Sequence, residues 1–194
     1  MILRKLGLLA FLTFATISSS LAEEAWVIRE DGAGPVKIGM SLSQLNTVLH
    51  ERMSQPEEGL GCFSVNPKRQ PRIAFMILDF RLVRIDVLGT GIYTAAGVQV
   101  GDSEAHALQV YGSKLKVEPH QYMGPDGHYL TIQSNNNRYG IRFETVKGKI
   151  TAFYAGRFDA IHFVEGCQYR CDPTNNPKST QKGHMNLYPY GVPR

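Results

Sequence analysis

The chain has 194 residues, of which 43% are hydrophobic and 20% are charged, so it has enough apolar side chains for a folded core. Its formal net charge of +4 is unevenly distributed, because residues 23–167 contain 15 basic and 16 acidic side chains. A protein that binds nucleic acid needs a basic face on its domain. The near-neutral balance of residues 23–167 therefore excludes nucleic acid as the expected partner.

The first 22 residues have the pattern of a secretory signal peptide. Arg4 and Lys5 precede an apolar run from Leu6 to Ile17, and small residues follow as far as Ala22. About a dozen apolar residues are too few to span a bilayer, which takes about 20 residues. We therefore expect cleavage after Ala22, a periplasmic or secreted protein, and no membrane span. No Cys stands at the junction, so lipid attachment is not indicated there.

The next part of the chain predicts a short strand and a capped helix. Residues 25–28 are typical of a strand, and the Gly and Pro residues of 32–35 indicate a turn. Ser41 and Gln44 have the spacing of a helix capping box, and the breakers after Arg52 end the helix near that residue.

Three strands follow this helix. They are expected at residues 62–65, 73–78 and 82–88, and the last two form a hairpin. The alternation of the third strand puts Val83, Ile85 and Val87 on one buried face. Asp86 falls on the other side, where it is expected to be solvated.

The second half predicts another capped helix and more strands. The helix covers about residues 103–111 and ends at Gly112, and strands follow at 128–133, 139–144 and 150–154. A last short strand is expected at residues 160–164. Residues 168–194 contain four prolines, few aliphatics and an excess of basic side chains, which predicts an irregular basic tail.

The lead-in to the first helix recurs before the second. Val36–Leu45 returns 62 residues later as Val98–Ala107, and each copy has a β-branched run, a Gly and a helix-opening Ser. We therefore predict one α+β domain over residues 23–167, made of two tandem helix-plus-antiparallel-strand repeats at about 34–88 and 96–167. In this architecture two helices pack on a shared antiparallel sheet.

Three cysteines in an exported chain predict one disulfide and one remaining thiol. A Cys62–Cys167 bond closes a loop of roughly 105 residues, which is worth on the order of 4–5 kcal/mol in the chain-entropy model, whereas Cys167–Cys171 closes only a short loop and gains less. We favour Cys62–Cys167 over the other pairings. Cys171 is then left as a free thiol, or as the link of a homodimer.

The motifs Gly39-Met40-Ser41 and Gly101-Asp102-Ser103 carry a resemblance to a known fold. A hydrophobic lead-in, Gly, and a Ser that opens a helix before antiparallel strands, given in tandem, resembles the β-lactamase-inhibitor-protein-like fold. In single copy the unit looks like the small lipoprotein of the outer-membrane β-barrel assembly machine. The resemblance covers roughly residues 34–167 and implies a protein that binds other proteins. The chain lacks the lipidated Cys of the lipoprotein and the paired cysteines of the inhibitor, so neither activity is carried over.

Aromatic and basic side chains of the second half are the candidate binding residues, because Tyr and Arg are enriched at binding hot spots. They are His120, Tyr122, Tyr129, Arg138, Tyr139 and Arg142. The spacing of His120 and His128 matches no standard zinc pattern, so no metal or other cofactor is expected. No catalytic residue is predicted, since the chain has no Gly-x-Ser-x-Gly and no signature around Cys171.

These observations favour a non-enzymatic exported module that binds another envelope or secreted protein. The alternative is a periplasmic protein that binds a small ligand or glycan through His120, Tyr122 and Tyr129. An envelope hydrolase is the least favoured hypothesis.

Overall fold

The computed structural model describes residues 26–56 and 61–167. In chain order the strands are β1 (Val27–Arg29), β2 (Gly32–Ala33), β3 (Val36–Lys37), β4 (Cys62–Val65), β5 (Ile73–Leu78), β6 (Arg81–Val87), β7 (Tyr93–Thr94), β8 (Leu115–Pro119), β9 (Gly127–Gln133), β10 (Tyr139–Val146) and β11 (Lys149–Arg157). The helices are α1 (Leu42–Leu49) and α2 (Glu104–Tyr111), and short 3₁₀ turns lie at Gly112–Lys114 and Ala160–His162. The predicted signal peptide, the predicted tail and Cys171 lie outside the described residues.

The described strands form two sheets. The large sheet has seven antiparallel strands in the order β4-β5-β6-β11-β10-β9-β8, so β6 and β11 join the strands of the first half to those of the second. The small sheet has the order β3-β2-β1-β7, and its β1 and β7 pair in parallel. The large sheet thus contains strands from both predicted repeats, whereas all strands of the small sheet precede residue 96.

The main core lies on one face of the large sheet. Its largest fully buried side chains are Phe75 of β5, Phe143 of β10 and Phe153 of β11. Ile28 of the small sheet and Leu45 of α1 belong to the same apolar cluster. Burial of these side chains away from water is the main source of stability for the described domain.

The predicted α+β fold of two helices on a shared sheet is wrong, because the described chain is mostly β. Each helix has only eight residues, and each buries a single residue fully, Leu45 in α1 and Ala107 in α2. Most of the core comes from strands instead. Two of the short strands were not predicted. Strand β2 stands in a Gly- and Pro-rich stretch typical of a turn and pairs with its neighbours β1 and β3, and β7 becomes a strand by pairing with the distant β1.

The helix boundaries follow from local chemistry. Ser41 caps α1 in the predicted capping box, accepting the Gln44 N–H while the Gln44 side chain accepts the Ser41 N–H. The helix ends three residues before the predicted Arg52, because His50 is left-handed with φ 50°. The Asn46 amide then holds Met53 by its backbone N–H and C=O, both at 2.9 Å, which turns the chain back beside the helix.

A β-bulge in β6 changes which of its side chains share a face, relative to the prediction. The register of β5 and β6 shifts so that Ile77 pairs with Leu82 and Met76 with Arg84, leaving Val83 as the extra residue. Val83 therefore turns to the face opposite Ile85 and packs in a second, smaller cluster. Both faces of this strand are buried, whereas the alternation predicted one.

The predicted strand at residues 160–164 is a 3₁₀ turn over Ala160–His162. The preceding strand, β11, is already paired on both sides, with β6 and β10, so it offers no free edge to a returning strand. The backbone carbonyls of Ala160 and Phe163 instead accept hydrogen bonds from the Arg84 guanidinium, at 3.2 and 2.7 Å.

The two Gly-x-Ser lead-ins have the same local geometry. Gly39 and Gly101 have φ values of 96° and 94°, a conformation that costs glycine little. The Gly39 N–H donates to the Leu82 carbonyl, and the Leu82 N–H donates to the Met40 carbonyl. In the same way, the Gly101 N–H donates to the Ile150 carbonyl, and the Ile150 N–H donates to the Asp102 carbonyl. Both helices are thus tied to a strand of the large sheet by the turn that precedes them.

A disulfide joins Cys62 to Cys167, as predicted, with a sequence separation of 105 and a distance of 5.4 Å between their Cα atoms. It ties β4, an edge strand of the large sheet, to the end of the segment that follows β11. Within the described residues, no helix has the length and hydropathy needed to cross a bilayer.

Candidate functional site

Charged and aromatic side chains line the face of the large sheet opposite the main core, which we name the polar face. The register of the sheet places Asp86, Tyr154, Arg142, Thr131 and Lys116 in one row across β6, β11, β10, β9 and β8. The first four are buried, and Lys116 at the edge is exposed. The sequence predicted that Asp86 is solvated, and this prediction is wrong because the residue is buried.

Arg142 lies on the polar face in β10, between β11 and β9. Its guanidinium stacks over the Tyr129 ring at 4.0 Å, and its Nη1 donates to the Thr131 Oγ1 at 3.4 Å. The Glu118 Oε2 is 3.6 Å from the same nitrogen. Burial lowers the pKa of Arg142, and the carboxylates of Glu118 and Glu144 oppose that change.

Arg84 lies on the same face in β6, between β5 and β11. Its guanidinium donates two hydrogen bonds to the Asp86 carboxylate, at 2.6 and 2.9 Å, and lies 4.4 Å from the centre of the Tyr154 ring. The bidentate geometry fixes the direction of the guanidinium. Its remaining donors are thereby aimed at the two carbonyls of the segment after β11, which it holds on the sheet.

His120 connects the end of β8 to the polar face. Its ring stacks on Tyr129 with 4.4 Å between centroids, and its Nδ1 accepts the Tyr122 N–H at 3.2 Å. An accepting Nδ1 places the proton of the neutral ring on Nε2. That nitrogen faces the Glu144 Oε2 at 3.8 Å. The histidine thus orders the loop of residues 121–126, which follows it.

The loop of residues 121–126 projects from this edge of the sheet. Tyr122 and Met123 are 55% and 42% exposed, and Gln121 between them and His120 is also exposed. The Tyr122 hydroxyl donates to the Glu165 Oε1 at 2.5 Å, which links the loop to the segment after β11. We name the exposed side chains of Gln121, Tyr122 and Met123 the Tyr122 surface.

The structure brings together four of the six predicted binding residues. His120, Tyr122, Tyr129 and Arg142 are neighbours, but only Tyr122 is exposed. Tyr129 stacks on His120, which precedes the loop, and Arg142 stacks on Tyr129. The other two, Arg138 and Tyr139, lie at the far end of β10, where the Arg138 guanidinium is 5.6 Å from the Tyr139 ring.

Sequence reasoning missed the acidic partners of this site, Glu118 and Glu144, and the buried Arg84–Asp86 pair. The available signal was the strict alternation of β6, which places Arg84 and Asp86 two residues apart on one side of a strand. That pattern is typical of a solvated face as well. Arg84 and Asp86 are buried because the segment after β11 covers this face of the sheet.

His128 belongs to a separate cluster and is not part of a metal site with His120. Its Nδ1 is 3.0 Å from the Glu104 Oε2, and the buried Thr145 hydroxyl donates to the same oxygen at 2.9 Å. These contacts hold the start of α2 against β9 and β10. Across residues 26–56 and 61–167, no group of three or more His, Cys, Asp or Glu side chains is arranged to hold a metal.

A hydrogen bond from Lys116 holds the pKa of Glu118 below its ordinary value, and the charges of Lys116 and Arg142 act in the same direction. A carboxylate with a lowered pKa stabilises the fold above its unfolded-state pKa of about 4.3, and this contribution is lost as the pH falls through the folded-state value. Glu118→Gln should therefore reduce the free energy of unfolding at pH 7, by less than about 1 kcal/mol because the pair is partly exposed. Urea titrations at neutral and acidic pH measure this. A difference that persisted at pH 3 would contradict the assignment.

No protein-family model matches this chain, and no curated protein matches its sequence. Among solved structures, it is similar to the uncharacterized protein yfeY from Escherichia coli, with a TM-score of 0.44 and 16% sequence identity. The match covers 68% of this chain and 99% of that chain. A likeness at this level carries no conclusion about function, so the function is proposed from the chemistry of the residues.

Proposed function

We propose that this protein is exported and binds another envelope or secreted protein, without catalysing a reaction. The signal-peptide pattern of residues 1–22 supports export. The Cys62–Cys167 disulfide also supports it, because such bonds persist mainly in oxidising compartments. The partner is expected to meet the Tyr122 surface.

The observation that carries this proposal is a pair of adjacent large apolar side chains exposed on a well-supported loop. Tyr122 and Met123 are both more than two-fifths exposed. The loop is held at its start by the His120 N–H, which donates to the Gly127 carbonyl at 2.9 Å, and at Tyr122 by Glu165. A preordered aromatic anchor loses little conformational entropy on binding, so more of its contact energy contributes to affinity.

The test compares three forms of the purified protein as bait for proteins of an envelope extract. Tyr122→Ala combined with Met123→Ala should abolish recovery of the specific partner, because it removes both anchors. Phe80→Ala is the matched control, since Phe80 is 68% exposed in the β5–β6 turn, which is far from the loop in sequence. The partner recovered by the unmodified protein is then purified and its binding to all three forms is measured.

A partner whose affinity falls only in the double variant supports the proposal. If nothing is recovered above the blank resin, or if Phe80→Ala has the larger effect, the proposed surface is wrong. The double variant must also keep the unfolding temperature of the unmodified protein, so that a lost interaction is not the result of lost folding.

A glycan or other small ligand is the second candidate for the same surface. It is favoured by an exposed aromatic ring whose hydroxyl is hydrogen-bonded to a carboxylate, as Tyr122 is to Glu165. A ring offers an apolar platform, and the carboxylate offers acceptors for hydroxyl groups. Specific retention on a glycan array that is lost in Tyr122→Ala and kept in Tyr122→Phe would favour this candidate over a protein partner.

A further inference from the structure

Two open clefts meet where the chain leaves α1, at the opposite edge of the large sheet from the Tyr122 surface. The larger has a volume of about 430 Å³ and the smaller about 170 Å³. Both are lined by His50, Glu51 and Arg69, so they form one continuous groove. We name it the Trp26 groove, because Trp26 lines its smaller end.

The larger end of the groove is positively charged. Among the residues that the structure describes there, Arg52, Lys68 and Arg69 line it, and Glu51 is the one carboxylate. The two oxygens of Glu51 accept the backbone N–H groups of Lys68 and Arg69, each at 2.8 Å. This carboxylate is thus already engaged by two donors, and the basic side chains beside it leave an excess of positive charge for an anion.

The smaller end of the groove has an apolar wall. Trp26, Pro35, Val48 and Leu49 line it, and the Trp26 ring is held by stacking on Phe75 with 6.4 Å between centroids. Its volume of about 170 Å³ is close to that of an apolar cavity of about 150 Å³ known to bind benzene. This end therefore has room for one aromatic ring.

Side chains hold both walls of the groove in place. The Asn46 amide fixes the backbone of Met53 on one wall. The Glu51 carboxylate fixes the turn that contains Lys68 and Arg69 on the other. A site whose walls are ordered before binding loses less entropy when a ligand enters.

We propose that the Trp26 groove binds a small organic anion, with a carboxylate or sulfonate group among Arg52, Lys68 and Arg69 and an aromatic ring against Trp26. The volume of the larger end lies within the range of small-molecule sites, about 300–1,000 Å³. This site is separate from the Tyr122 surface, so its test does not depend on the proposed protein partner.

The test uses anilinonaphthalene sulfonate as the anionic probe and phenylnaphthylamine, which lacks the sulfonate, as its neutral counterpart. Trp26 is the only tryptophan in the chain, so energy transfer from tryptophan to a bound probe reports binding near this groove. We expect saturable transfer to the anionic probe and an affinity about tenfold or more higher than for the neutral one, the effect of one charge-assisted hydrogen bond.

Charge reversal tests the location of the anion. Lys68→Glu combined with Arg69→Glu should weaken binding of the anionic probe by about tenfold or more and leave the neutral probe unaffected. Lys114→Glu with Lys147→Glu makes the same change in net charge at two exposed positions outside the groove and should leave both affinities unchanged. If the reversed variant folds poorly, Arg69→Gln, with an unchanged unfolding temperature, replaces it.

Three results would overturn the proposal. They are the absence of energy transfer from Trp26, equal affinities for the two probes, and an equal loss of affinity in the two charge-reversed proteins. Displacement of the anionic probe by naphthalene sulfonate, but not by naphthalene, would support it.

Discussion

Replacing Cys62 with serine is expected to lower the free energy of unfolding by about 4–5 kcal/mol, the largest effect of any substitution considered. The Cys62–Cys167 bond spans 105 residues, and the entropy that a cross-link removes from the unfolded chain grows with the length of the closed loop. For a chain of this size, such a loss lowers the unfolding temperature by about 8–20 °C. Urea and thermal unfolding of the oxidised proteins measure both quantities.

Cys171→Ser is the matched control, because this cysteine is left over by the observed pairing. It should leave the unfolding temperature of the oxidised protein nearly unchanged. Reduction should lower the stability of the unmodified protein to that of Cys62→Ser and have no further effect on the variant. Equal losses in Cys62→Ser and Cys171→Ser would show that the pairing in solution is different.

Replacing Asp86 with alanine is expected to cost about 3–5 kcal/mol, because it leaves the buried Arg84 guanidinium without its carboxylate. Arg84 is 4% exposed and donates to Asp86 and to the carbonyls of Ala160 and Phe163. In this setting the charge cannot reach water without moving the segment after β11. The loss is measured by urea unfolding at pH 7.

A double-mutant cycle separates the interaction from the cost of burying its members. The cycle consists of Arg84→Met, Asp86→Leu and the two combined, and the double variant should regain much of the stability lost in Asp86→Leu alone, because apolar side chains of similar volume can replace a buried ion pair. A double variant that loses the sum of the two single losses would contradict this account. It would show that the two residues act independently.

The disulfide and the Arg84–Asp86 pair anchor the same segment, so their effects are expected to be coupled. Arg84 holds Ala160 and Phe163 by their carbonyls, and Cys167 fixes the end of that segment to β4. Once one anchor is lost and the segment moves from the sheet, the other holds less of the native structure. The combined loss should therefore be smaller than the sum.

Local signals predicted the parts of this fold whose stabilisation is local. The capping box of Ser41 and Gln44, the Ser103 cap and the stop at Gly112 are interactions between residues close in sequence. The long apolar run of β5 also marks a strand without help from its neighbours. A preference for a long loop over the short Cys167–Cys171 loop favoured Cys62–Cys167, which is the observed bond.

The fold class was decided by pairing between strands that are distant in sequence, and residue types alone do not indicate which strands pair. Two-residue strands such as β2 and β7 have too few positions to show an alternation, and β7 becomes a strand by pairing with β1 more than 60 residues away. The bulge at Val83 likewise depends on the partner strand. Periodicity therefore favoured the helices, which have local signals, and underestimated the strands.

For the candidate site, the sequence by itself determined which chemistry was present, and only the tertiary structure decided which side chains can meet a ligand. His120, Tyr122, Tyr129 and Arg142 were recognised by residue type, but packing buries Tyr129 and Arg142 and leaves Tyr122 exposed. The Trp26 groove had no sequence signature, because its walls join Trp26, which precedes β1, to residues of α1 and of the β4–β5 loop. Caps and apolar runs act between chain neighbours, whereas burial and concavity arise only when distant segments pack together.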